Sequence, residues 1–153
     1  MTLPTAPKPA ATWPFHSGDM AARIRRMGSE SSPLGPPHTW PDGLRSAIAM
    51  ILPSKATMVV FWGPELITFY NDAYTPALGN KHPLALGRRA VDVWPEVWSD
   101  LGPLLMGVWT TGETFSADDW PFKIERHGYL EDVLVNLSCS PLHDARGAVA
   151  GLL

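Results

Sequence analysis

The chain has 153 residues, of which 45% are hydrophobic, and its formal net charge is −3. This length suits one domain, and this apolar content excludes wholesale disorder. The near-neutral charge argues against a general nucleic-acid surface, and the single cysteine, Cys139, excludes an intramolecular disulfide and fits a reducing cytoplasm.

Residues 1–12 are rich in Pro, Ala and Thr and read as a flexible tail. Prolines occupy the place of a signal peptide's apolar core, and no apolar run is long enough to span a bilayer. Residues 13–53 read as an N-terminal helical extension. Its first helix starts near Ser17, with Ser17 or Asp19 as cap and Met20, Ile24 and Met27 on one face, and Gly28 stops it. The Arg23, Arg25, Arg26 cluster reads as a solvated face of that helix. Pro33, Pro36 and Pro37 keep the next segment irregular. Thr39 then reads as an N-cap, with Pro41 and Asp42 in the first helical turn. Leu44, Ala47, Ile48, Ile51 and Leu52 give that helix one apolar face before Pro53 ends it.

Residues 54–153 read as the main domain, organised around Met58–Gly79. Met58–Trp62 is β-branched and aromatic, as a buried strand requires, Gly63-Pro64-Glu65 turns the chain, and Leu66–Tyr70 is a second strand. Asn71 or Asp72 is placed to cap a short helix over Ala73–Leu78 that Gly79 stops. A loop follows to Arg89, then a short element at Val91–Trp94. A longer helix lies between Val97 and Thr111, with Leu101, Leu104, Leu105, Val108 and Trp109 as its stripe, Pro103 near its first turn or kinking it, and Gly112 as its stop. Thr114–Arg126 reads as a strand that buries Trp120, Phe122 and Ile124. After a turn at His127-Gly128, Tyr129–Ser140 is a strand with Val133, Val135, Leu137 and Cys139 on one face and Asn136, Ser138 and Ser140 on the other. His143–Gly147 is a hairpin turn in which Gly147 takes positive φ, and Val149–Leu153 is a last strand that the chain leaves unfinished, as in a fragment of a longer protein.

The run WGPELITFYNDAY (Trp62–Tyr74), the continuation GNKHP (Gly79–Pro83), ALG (Ala85–Gly87) and VWPEVW (Val93–Trp98), preceded by GDMAARIR (Gly18–Arg25) and PLGPPHTWPDGLRSA (Pro33–Ala47), resembles the N-terminal PAS region of bacterial sensor histidine kinases. The resemblance covers most of the chain after Trp13. It implies an α+β fold: a five-stranded antiparallel sheet with short helices and one longer helix on one face, preceded by N-terminal helices. It implies a cytoplasmic sensory domain in a two-component phosphorelay, acting on downstream signalling domains of the same protein through a small-molecule ligand or a partner. Kinase activity would then lie downstream of Leu153. The resemblance also implies a homodimer through the helix carrying Leu44, Ile48 and Ile51. The alternative is a structural dimerisation module with a filled core and no ligand.

No catalytic motif is legible. A phosphate loop, a G-x-G-x-x-G turn and a G-x-S-x-G elbow are all missing, and no histidine is spaced from another or from Cys139 as metal ligands are. Asp118 and Asp119 are adjacent on a strand and point to opposite faces, so they cannot share a proton. No nucleic-acid partner is expected. PAS relatives that bind flavin covalently use a cysteine where Val91–Pro95 lies, and Cys139 instead reads as a core thiol. Haem-binding relatives use a histidine on or near the long helix, and the nearest one, His82, reads as a loop hydrogen-bonding residue. No cofactor is therefore identified. A ligand pocket between the long helix and the sheet would be lined by Trp94, Trp98, Leu105, Trp109, Phe115 and Trp120, with Tyr70, Asn136 and Ser138 as polar groups. The competing reading is that these aromatic rings simply fill the core.

Overall fold

The computed structural model describes residues 2–5 and 12–153. Most of the expected flexible tail lies outside the described residues. The elements run α1 (Asp19–Arg25), α2 (Asp42–Ile51), β1 (Val59–Trp62), β2 (Ile67–Tyr70), α3 (Thr75–Leu78), α4 (Ala90–Val93), α5 (Trp98–Thr111), β3 (Phe115–Glu125), β4 (Leu130–Cys139), β5 (Pro141–His143) and β6 (Val149–Leu152). The fold is α+β with antiparallel sheets, as expected.

The expected single five-stranded sheet is not what forms. There is a four-stranded sheet in the order β2-β1-β6-β5 and a separate β3-β4 pair. The chain changes partners at Ser140. Before it, Cys139 pairs with Phe115; after it, Pro141 pairs with Leu152. Ser140 itself exchanges reciprocal backbone hydrogen bonds of 2.8 Å with Leu153. The two sheets therefore meet edge to edge at one residue.

Alternation along β1 sends its side chains to opposite layers. Trp62 lies against Gly43 of α2, whereas Phe61 packs edge-on against Trp94 beside α4, with ring centroids 5.8 Å apart. Gly151 is required here, because a Cβ would stand 2.7 Å from the Trp62 ring. Helices thus cover both faces of the sheet, not one. Leu44, Ile48 and Ile51, expected at a dimer interface, are at most 1% exposed and belong to the protomer's own core. Their apolar stripe is satisfied by the sheet and is not left over for a second subunit.

Several caps differ from expectation. Pro41, not Thr39, is the N-cap of α2, and the Thr39 hydroxyl donates back to the Pro36 carbonyl at 2.7 Å. Gly18, not Ser17 or Asp19, precedes α1, and the Met20 amide donates to Asp72 Oδ1 at 3.0 Å. Pro103 sits inside α5, which begins at Trp98, and Gly112 ends that helix in the left-handed region at φ 69°. Gly147 is left-handed as expected, at φ 84°.

Asn71 caps the turn after β2, as expected, but does far more. Its Oδ1 accepts from the Met58 and Tyr74 amides at 3.2 and 3.1 Å. Its Nδ2 donates to the Ala56 and Ile51 carbonyls at 2.7 and 3.0 Å, with the Ser54 carbonyl a further 3.3 Å contact. The side chain is fully buried. Truncation strands several buried backbone groups at once. Asn71→Ala should therefore cost roughly 3 kcal/mol or more in denaturant unfolding, and a loss under about 1 kcal/mol would show that these bonds are replaced by water.

Candidate functional site

A cavity of about 660 Å³ lies where α5 faces the sheet. Its apolar walls come from Leu101, Leu104 and Leu105 of α5, Phe122 and Ile124 of β3, and Val133, Val135 and Leu137 of β4. Trp94, Val97 and Phe61 close one end, Tyr74 and Arg126 contribute polar groups, and Met58, Val59 and Leu153 border it on the sheet side. The spacing of the leucines on α5 puts them on one face, and alternation along β3 and β4 does the same for their apolar residues.

Of the residues expected here from the sequence, Trp94, Leu105, Asn136 and Ser138 border the cavity, and Tyr70, Trp98, Trp109, Phe115 and Trp120 do not. Asn136 borders it from a strand position whose side chain points away from α5. Its Oδ1 accepts from the Asp119 amide at 2.8 Å, so it orients the bulge rather than a ligand. That bulge also explains Trp120. The register shifts between Ala117 and Trp120, and Asp119 adopts φ 52°. Trp120 is left 38% exposed, with its ring edge-on to Phe115 at 5.3 Å. Trp98 lies along its own helix, close enough to Gly102 that a Cβ there would stand 2.9 Å from the indole. Cys139 is a buried thiol at the cavity's edge, and burial pushes its pKa up to about 11, which keeps it protonated and unreactive. Among the described residues, no cluster of His, Cys, Asp and Glu could hold a metal ion.

Tyr70 is engaged elsewhere. Its hydroxyl is 2.8 Å from His82 Nδ1, and Asp19 Oδ2 lies 4.0 Å from His82 Nε2. Burial raises the Tyr70 pKa, so the phenol stays neutral. It also raises that of Tyr74, to about 12. His82 thus forms a loop hydrogen bond and does not border the cavity. With the Asn71 and Asp72 contacts, three consecutive residues tie three separate segments to the end of β2: Tyr70 the His82 loop, Asn71 the entry to β1, and Asp72 the start of α1. Sequence reasoning could have marked Tyr-Asn-Asp as polar residues ending a buried strand, but not their partners, which are 12 to 52 residues away.

Among the described residues, no helix is long and apolar enough to cross a membrane. Neither a scan of protein-family models nor a comparison with curated proteins finds a match to this chain.

Burial lowers the pKa of His82, and Arg23 lowers it further against the opposing pull of Asp19 and Asp72. The folded chain then binds fewer protons than the unfolded chain just below the ordinary histidine range. The stability that His82 contributes is complete above about pH 6.5 and is lost as the pH falls towards its folded pKa. Melting curves should show a decline from pH 7 to 5 that shrinks in His82→Gln. An identical decline in the variant would place the titration on other groups.

Proposed function

We propose that the chain is a cytoplasmic sensory domain of the PAS type, which binds a small, mainly apolar molecule and biases the state of a downstream output module, a histidine kinase being the candidate. The observation that carries this reading is the cavity of about 660 Å³ between α5 and the sheet, within the size range of small-molecule sites. The chain path supports it as well. Because β4 and β5 are separated only by Ser140, the spatial succession β2-β1-β6-β5/β4-β3 follows the strand succession that the sequence resemblance implies.

The walls favour an uncharged or weakly polar ligand. Arg126 is held by Glu131 at 2.8 Å, so its charge is already met. Cys139 and His82 are each engaged within the chain: burial pushes the Cys139 pKa up to about 11, and His82 is bonded to Tyr70. A ligand can signal from this cavity only by preferring one arrangement of α5 against the sheet. The alternative, a dimerisation module, draws on a different surface from the one expected. Tyr129, Leu130 and Leu134 of the β3-β4 hairpin region are all at least 60% exposed.

Native mass spectrometry of the purified chain, repeated after denaturation, tests the reading. The expected result is a mass excess that disappears on unfolding. It should also be absent in Leu104→Trp, where the larger ring occupies the cavity. A dimer carrying no added mass, in both the parent and Leu104→Trp, would replace the sensor with the dimerisation module.

A further inference from the structure

The cavity holds two hydrogen-bond donors that the chain itself leaves unused. Tyr74 ends the short helical turn Asp72–Tyr74 after β2, and Trp94 caps α4. Both line the cavity. The Tyr74 amide donates to Asn71 Oδ1 at 3.1 Å, and its ring lies tilted against Tyr70 with centroids 6.0 Å apart, so backbone and ring are both held. Trp94 is only 4% exposed, and its ring is seated edge-on against Phe61. Among the described residues, neither the Tyr74 hydroxyl nor the Trp94 indole N–H has a hydrogen-bond partner. By contrast, the Tyr70 hydroxyl is bonded to His82, and the Trp40 indole N–H donates to the Gly35 carbonyl at 2.9 Å.

Buried polar groups in native chains are nearly always satisfied, so two unpaired donors on the walls of one cavity call for a partner. Arg45 Nε and Thr68 Oγ1 are the polar side-chain atoms sealed without a partner among the described residues. Tyr74 Oη and Trp94 Nε1 are not sealed in this way, and the space they reach is the cavity. Burial pushes the Tyr74 pKa up to about 12, so its hydroxyl keeps its proton. The indole N–H can only donate. The other polar side chains of the cavity are already engaged or hydrated. Arg126 is bonded to Glu131, Asp132 to Lys123 and Asn136 to the Asp119 amide. Thr57 and Ser138 are exposed to solvent. The unmet demand inside the cavity is thus for an acceptor without a charge.

We infer that the ligand is an uncharged, apolar carbonyl compound whose oxygen accepts a hydrogen bond from Tyr74 Oη, with the Trp94 indole N–H as a second donor to the same molecule. This rests on the reading of the cavity as a small-molecule site, and narrows it from apolar molecules in general to those that bring an acceptor. A carboxylate is disfavoured, because no unpaired cation lines the cavity among the described residues. A plain hydrocarbon fills the space but leaves both donors unpaired, and an unmet buried donor costs free energy. Tyr74 is therefore the residue that sets specificity. It also ties the ligand to the Asn71 junction, to which its own amide is bonded.

The probes are 2-octanone and its isostere 2-methyl-1-octene, in which a methylene group replaces the carbonyl oxygen. Each is titrated into the 153-residue chain and into Tyr74→Phe, with backbone and indole NMR shifts as the readout. 2-Octanone should bind the parent at least about fivefold more tightly than Tyr74→Phe, whereas 2-methyl-1-octene should bind the two equally. Without ligand, Tyr74→Phe should melt no lower than the parent, because the hydroxyl it loses has no partner. Equal binding of 2-octanone to the parent and Tyr74→Phe would overturn the inference while leaving the cavity a small-molecule site. A lower melting temperature for Tyr74→Phe would also overturn it, since the hydroxyl would then be bonded within the chain. Binding of neither probe, by a chain that carries a mass excess in native mass spectrometry, would overturn the carbonyl assignment alone. Binding of neither, with no mass excess, would remove the small-molecule site as well.

Discussion

The structure depends first on the buried amide of Asn71. A side chain this polar is tolerated without solvent only because both ends of the amide are bonded to backbone. Those bonds fix the connection from α2 into β1 and the turn that leaves β2. One residue thereby sets the position of the helix layer on one face and of the strands that carry the cavity on the other. Tyr70 and Asp72 extend the same anchoring to the His82 loop and to α1. The cavity is consequently built against a floor and an edge that are locked from behind, and the hairpin β3-β4 with α5 forms its remaining walls.

This division bears on the proposed sensory role. The α2 side of the sheet is densely packed: Leu44, Ile48, Val60 and Phe69 are fully buried, and the Trp40 ring lies tilted against Phe69 with centroids 4.8 Å apart. The α5 side holds the void and the partly buried leucines Leu101 and Leu104. Close-packed interiors resist small shifts, whereas a void lets its walls move at lower cost. On the proposed reading, motion in response to a ligand would belong to α5 and the β3-β4 hairpin, with the Asn71 region as the fixed reference.

Much of the frame was legible in the sequence. Hydrophobic periodicity placed α2 and α5, β-branched and aromatic runs placed β1 and β2, and glycine stopped α5 where it was expected at Gly112. What failed was long-range. Periodicity shows that Leu44, Ile48 and Ile51 share a face but not what covers it, and the interface that the resemblance implied there is a core instead. β2 starts one residue later than expected because Leu66 adopts φ 53° at the end of the turn. The strict alternation read through Trp120 broke at a bulge, which has no signature in a pattern of period two. The cavity was expected in the correct layer, but its aromatic lining was overstated. Large rings were counted as lining, while α5 contributes Leu101, Leu104 and Leu105, and β4 contributes Val133, Leu134, Val135 and Leu137.

The most direct measurement is native-state hydrogen exchange at the Met58 and Tyr74 amides, both of which donate to Asn71 Oδ1. If this buried amide anchors the fold, both should exchange only through global unfolding, with the same opening free energy as the Val60 amide in the core strand. Exchange of either amide through a low-energy local opening, while Val60 stays protected, would contradict the account. It would mean that the junction yields independently and that the cavity has no fixed wall.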